Sequence, residues 1–491
     1  MPVLLEWLQA WPANRVVDEP YALGRVSRRV LWTVAISCSV LASYVIVSEQ
    51  YAWGAVIGIA LAFALLCLVK PQLALLVFLI YLPIEGALKK VGTDLSVMKG
   101  VNPETVVTLL YAVIGLPRIL IGARPPRLSS RLILPMLLLS VLLLFSIAWN
   151  PHLGTDIIID DLAKIKQATF YFLTFFLVMI TPDKRRYLNL YLGVFLLVCI
   201  YMSFDLAWVS MEKATLTNLG TRVSRSTDGL HFNVSSVHTS PLVLGLGASF
   251  LTAIFAETKS TFWPRILLLS GAGMLVLSSF LLLSRALSGA VVMGVFVTLL
   301  ASGVRRRNAW ALLVVPLCLW LFIPEDLAVR LGRAPVNAQS GTGSLTTGRL
   351  EVAWPDAIET ISEHPILGVG YGAYSGGKAG LAAHNQLLDI WAQVGIGGVI
   401  LFLWMFTSLV KVAWRARHDG DPRTRAIANG LFGQLMGCVI ALMFSDSFFY
   451  PWLAYSLFFI AVLLEPVGRA TLEQKSVPGW RKRSLSAAGI G

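Results

Sequence analysis

Charged side chains are scarce in this chain. Asp, Glu, Lys and Arg make up 14% of its 491 residues, against 56% that are hydrophobic. That balance excludes a string of soluble domains, which need far more polar surface than this. Cysteine is sparse too. All five, Cys38, Cys67, Cys199, Cys318 and Cys438, lie inside or beside apolar runs without metal-site spacing, and buried free thiols are the better reading. Acids are outnumbered, 27 against 40 bases, for a net charge of +13. The surplus is not a nucleic-acid footprint, because Lys and Arg sit mainly in short loops between apolar runs, where they set orientation. No cleavable signal peptide is legible; the stretch up to Arg29 is polar and mixed, so the first apolar run is expected to stay as an anchor. No internal repeat is obvious, which weighs against a transporter built from paired halves.

What the chain has in abundance is apolar length. Runs long enough to cross a bilayer recur from end to end, about fourteen in all. They include Leu132–Trp149, Leu188–Val209, Leu242–Ala256, Ile266–Leu283, Ala286–Ser302, Gln386–Trp414, Ile427–Phe444 and Trp452–Leu464. The expected fold is an all-α polytopic membrane protein with about 12–14 transmembrane helices. Basic clusters at Arg25/Arg28/Arg29, Arg124/Arg127/Arg131, Lys184–Arg186, Arg305–Arg307 and Arg415/Arg417/Arg423/Arg425 all fall on one side when the spans alternate. That side is the cytoplasm by the charge bias of membrane loops; one loop runs against the count, since Lys89, Lys90 and Lys99 fall outside. The organisation that follows is a cytoplasmic segment 1–29, membrane helices over 30–323, a large extracytoplasmic loop 324–384, membrane helices over 385–466 and a basic cytoplasmic tail 467–491. Loops as long as 324–384 between membrane helices are usually functional, so the chemistry is expected outside, away from nucleotides.

Six histidines serve the whole chain, and one of them stands at a junction. From Arg349 to Gly398 the sequence reads RLEVAWPDAIETISEHPILGVGYGAYSGGKAGLAAHNQLLDIWAQVGIGG. His384 sits where polar loop becomes apolar helix, and Asn385 is placed to cap that helix. Gly395, Gly397 and Gly398 are small enough to let neighbouring membrane helices approach. Leu350, Ala353, Trp354, Ala357, Ile358 and Ile361 recur at helical spacing, which predicts an amphipathic surface helix. Pro355 suits its first turn, and it should end before Pro365. Arg285, between two apolar runs with almost nothing polar around it, is costly unless it snorkels or meets an anion. Its fork suits a pair of phosphate oxygens. Arg222 and Arg225 lie in another outer loop, where solvated arginines are the blander reading. Two motifs are set aside. Gly372–Lys378 has phosphate-loop spacing, but Ala379 stands where Ser or Thr is required. Asp419-Gly420-Asp421 reads as a turn rather than a metal site.

His384-Asn385, nine residues and then Gly395-x-x-Gly398 resembles the signature of the bacterial O-antigen ligase and O-antigen polymerase superfamily. His364-Pro365-Ile366-Leu367-Gly368-Val369-Gly370 and Leu283-Ser284-Arg285-Ala286 also resemble family elements. The likeness runs over about Leu281–Phe402; earlier only the membrane pattern agrees. The resemblance implies a GT-C-like membrane glycosyltransferase whose large periplasmic loop carries short amphipathic helices. It implies a glycan donor on undecaprenyl diphosphate and a glycan or lipid A-core acceptor, within membrane lipids of the bacterial inner membrane. Both termini would be cytoplasmic. No metal, cofactor or nucleic acid would be needed, and polysaccharide assembly proteins would be partners. His384 would activate the acceptor hydroxyl. Arg285 and Arg349, with Arg222, would hold the diphosphate, and Asn385, Gly395 and Gly398 would support the site. Ligase is the first reading, polymerase the second, and a polysaccharide transporter a weaker third.

Overall fold

The computed structural model describes residues 62–67, 73–75, 109–115, 131–149, 169, 172–173, 175–179, 181, 188–212, 240–258, 262–281, 285–303, 352–374, 383–445, 448, 453–454 and 456–465. Among the described residues every regular element is a helix. In chain order the main ones are α1 (Ile133–Ala148), α2 (Leu188–Glu212), α3 (Ser240–Glu257), α4 (Phe262–Leu281) and α5 (Arg285–Ala301). They continue with α6 (Trp354–Glu363), α7 (Gln386–Val394), α8 (Ile396–Ala416), α9 (Pro422–Phe444) and α10 (Ser456–Glu465). Long apolar sequences with every backbone group bonded within the segment are what a bilayer permits. Five of these helices, α2, α3, α4, α8 and α9, are long and apolar enough to span it, and α1, α5 and α10 are shorter apolar helices. The protein is an all-α, multi-pass membrane protein.

The centre of the bundle is α3, in which every residue from Ser240 to Ile254 is buried. Around it pack α2, α4, α5 and α9. The tightest pairing is α5 on α9, and small residues make it so. A Cβ on Gly433 would strike Thr298 and the Gly294 carbonyl, and one on Gly437 would strike the Ala290 carbonyl. Where lipid rather than water surrounds a helix, close backbone contact and dispersion supply the association. Phe145, Leu197, Phe204 and Ile400 are each more than half exposed, as lipid-facing side chains should be.

The two ends of the bundle differ in charge. At one end Arg425 pairs with Glu257 at 2.6 Å, Arg417 donates to the Ala301 carbonyl, and the Arg131 amide donates to Glu465 at 2.8 Å. At the other end the loop around Tyr371 meets the end of α1 through the Ser146 carbonyl, and the Phe448 amide donates to Gln386. Successive helices therefore alternate in direction as the charge pattern requires. α5 of 17 residues rises by roughly 25 Å. Its Ala301 end is the basic one, so Arg285 opens it at the opposite end, the end that carries His384.

Three expectations change. The run Gln386–Trp414 is two helices, α7 and α8, broken at Gly395, whose φ of 78° and ψ of −175° suit glycine alone. Gly395 admits a loop rather than a neighbouring helix, because the Ile366 carbonyl occupies the space its Cβ would need, and a Cβ on Gly398 would first meet Val394 and Ile390 of α7. Helix α9 starts five residues before Ile427. Asp421 caps it by accepting from the Arg423 and Thr424 amides, and Asp419 accepts from the Asp421 amide, so the Asp-Gly-Asp stretch is a turn. The remaining expected spans lie wholly or largely outside the described residues.

Candidate active site at the loop–helix junction

The site is built from α6, the turn that follows it and the N-terminus of α7. α6 begins at Trp354 with Pro355 in its first turn and ends at Glu363, before Pro365. Its inner face, Ala357 and Ile361, packs with Tyr374, Ala383 and Ala392. The turn His364–Gly372 then lies along the end of α7. A helix that stops leaves its last carbonyls without intrahelical donors, and the turn supplies them. The Val369 amide donates to Ala392 O and the Gly370 amide to Gln393 O, both at 2.9 Å, while the Ile396 amide donates back to Pro365 O. The Gln393 side chain accepts from the Gly372 amide at 2.8 Å, and the Ser146 hydroxyl donates to the Gln393 carbonyl. Trp391 and Trp149 donate their indole N–H groups to Pro365 O and Leu367 O. Gly368, at φ 69°, has no room for a side chain, because a Cβ there would overlap the Gln393 carbonyl. These bonds explain the spacing of the Pro-x-x-Gly-x-Gly stretch. It is a backbone clamp on the α7–α8 break.

His384 lies at the other end of α7. It is half-buried with Nδ1 enclosed, and at φ 46° it is the one non-glycine residue of positive φ among the described residues. Side chains rarely accept that conformation, and where they do the surroundings must enforce it. Asn385 caps α7, its side-chain oxygen accepting from the Leu387 and Leu388 amides at 3.0 and 3.1 Å. Trp354 donates from Nε1 to the Ala383 carbonyl at 3.1 Å, and its ring stacks on Phe444 at the C-terminal end of α9. Tyr374 is buried beside Ala383. Burial, reinforced by Asp356 and Asp389, pushes its phenol up to about 12, so the hydroxyl keeps its proton.

Of the residues expected at the site, the fold brings His384 and Asn385 together and places the first residue of α5, Arg285, at the same end. Gly395 and Gly398 stand one short helix away, at the break and just beyond it. Arg349 and Arg222 lie outside the described residues. Sequence reasoning assigned no role to Trp354, Tyr374 or Gln393, which the fold places around the junction. A tryptophan directly before a helix-opening proline, five residues after Arg349, was the available signal for the first. A groove of about 690 Å³ lined by residues such as Tyr191, Phe195, Ile427 and Leu463 is no rival site. It is apolar and lies among the spans toward the basic end, so it suits lipid rather than sugar.

Residues 270–403 match the family model described as O-antigen ligase. Over this stretch the chain is similar to the O-antigen ligase family, which supports a place in the O-antigen ligase and polymerase superfamily. A search of curated proteins gives no match. The matched residues take in most of α4, all of α5, α6 and α7, and the first part of α8, so Arg285, Arg349 and His384 fall within the matched stretch while Arg222 falls outside it.

Proposed function

We propose that the protein is an O-antigen ligase-like glycosyltransferase that moves a glycan from undecaprenyl diphosphate to an acceptor hydroxyl at the periplasmic face of the inner membrane. The observation that carries this reading is His384, held in a left-handed conformation at the capped start of α7, at the end of the bundle opposite the basic clusters. Histidine exchanges its proton near neutral pH, which suits the activation of an acceptor hydroxyl as it attacks the anomeric carbon. That attack expels the lipid diphosphate, and charge grows on its oxygens. Arg285 at the start of α5, with Arg349 and Arg222 from outer loops, would neutralise that charge, and preorganised donors of this kind supply much of the barrier lowering in such sites. The glycan donor is lipid-linked, so a bundle embedded in lipid with its reactive end at the surface is the appropriate container. Both termini would face the cytoplasm, and the chain would work beside other polysaccharide assembly proteins.

The test is transfer by purified protein of a defined lipid-linked glycan with no nucleotide present. His384→Ala should insert and fold while transfer falls by about two orders of magnitude or more; full activity in a folded variant would sink the role of His384. Replacement of Arg285 or Arg349 by Ala should weaken donor binding more than replacement by Lys, which keeps the charge but loses the fork. A polymerase of the same superfamily is the second reading. It would join lipid-linked repeats to one another and yield a ladder of multiples from that donor alone. A ligase would stay idle until a different acceptor is added.

A further inference from the structure

We infer that Trp354 is the positioning residue for His384. The inference rests on the reading of His384 given above. The direction of a side chain from its Cα is fixed once the two peptide planes flanking that residue are fixed, because each plane is rigid and only φ and ψ lie between them. At His384 both planes are held. On the C-terminal side, Asn385 is extended, at φ −137° and ψ 114°, with its side chain bonded to two amides of the first turn of α7. The Gln386 side chain adds a bond from the Phe448 amide at 3.1 Å. On the N-terminal side, the plane between Ala383 and His384 is held through its carbonyl, to which Trp354 Nε1 donates at 3.1 Å. Ala383 is wholly buried, so this plane has little room to turn. Trp354 is itself fixed by its place at the start of α6 and by its ring, which lies 6.3 Å from that of Phe444 at an interplanar angle of 29°. The path thus runs from the C-terminal end of α9, through one indole, to the backbone of His384. Between the two clamps His384 is left at φ 46°, a conformation that the isolated chain would abandon. The indole N–H therefore aims the imidazole without touching substrate.

Trp354→Phe keeps an aromatic ring for Phe444 and deletes the donor together with part of the fused ring. In the purified full-length protein, kcat for transfer should fall roughly tenfold or more, as expected for a misaimed catalytic group, with KM unchanged. In the His384→Ala background the same substitution should leave the residual rate unchanged, because no imidazole remains to aim. Independently of activity, the rate at which diethyl pyrocarbonate modifies His384, read by mass spectrometry of its peptide, should differ several-fold between wild type and Trp354→Phe. If Trp354→Phe does not fold, Phe444→Leu loosens the indole while leaving its N–H, and should shift the modification rate in the same sense by a smaller factor. Equal losses in both backgrounds, or an unchanged modification rate at His384, would overturn the inference. Should His384→Ala transfer normally, the proposed catalytic role falls, while the modification rate still decides whether Trp354 holds the imidazole.

Discussion

At the scale of single residues, the site stores strain where chemistry is expected. A side chain at φ 46° costs about 1–2 kcal/mol relative to glycine, so His384→Gly should melt higher than His384→Ala by a margin of that order. Thermal unfolding of the two variants in detergent reads it directly; equal midpoints would mean that the backbone at 384 is relaxed. Tyr374 offers a second reading through pH. Burial and two nearby carboxylates raise its phenol from the ordinary 10.0 to about 12. Between those values the folded protein keeps a proton that the unfolded chain releases. Stability contributed by the neutral phenol is therefore present below pH 10 and lost as pH climbs toward 12. Tyr374→Phe should flatten the alkaline fall in melting temperature without abolishing it, since burial also raises the Tyr371 phenol. A slope identical to wild type would place the Tyr374 hydroxyl in water.

At the scale of elements, the clamp between the His364–Gly372 turn and the α7–α8 break is the feature most exposed to a single substitution. Gly395 adopts a backbone region closed to side chains, which costs about 1–3 kcal/mol for any other residue, and the Ile366 carbonyl blocks its Cβ besides. Gly395→Ala should lower the melting temperature and, by shifting α7, reduce transfer. Gly397→Ala, whose Cβ would meet only the Leu142 side chain at an ordinary 3.5 Å, should do neither. Equal tolerance at both positions would show that the break is not needed. The contrast also marks what could be read beforehand. Asn385 as a cap, Pro355 in a first turn and the end of α6 before Pro365 were legible, because each follows from local hydrogen bonding and the geometry of one residue. The break at Gly395 was not, since hydropathy runs unbroken from Gln386 to Trp414 and the reason for stopping is a carbonyl twenty-nine residues earlier in the chain. Trp354 escaped for a related reason. Its helical spacing marked it as part of an apolar face, and nothing local reveals that its N–H reaches Ala383.

At the scale of the whole molecule, the sorting of basic residues to one end of the bundle was legible where contacts were not, because it is written in loop charges rather than in packing. Arg131, Arg417 and Arg425 reach Glu465, Ala301 and Glu257 at one end, while α5 carries Arg285 to the other, where α7 presents His384. The proposed lipid-diphosphate donor, displayed outside the cytoplasm, would require that second end to face outward, and the charge bias of membrane loops predicts that it does. Reporters fused after Arg307 and after Arg417 should therefore be active only when cytoplasmic, and one inserted within Gly341–Ser344 only when exported. The three positions test the claim jointly, since α5 and α8 both return to the basic end and the Gly341–Ser344 stretch lies between them in the chain. A cytoplasmic signal from Gly341–Ser344 would put His384 on the same side as the nucleotide pool and remove the lipid-linked donor mechanism with it. A cytoplasmic signal after both arginines and an exported one between them would leave the imidazole facing the compartment of the proposed acceptor.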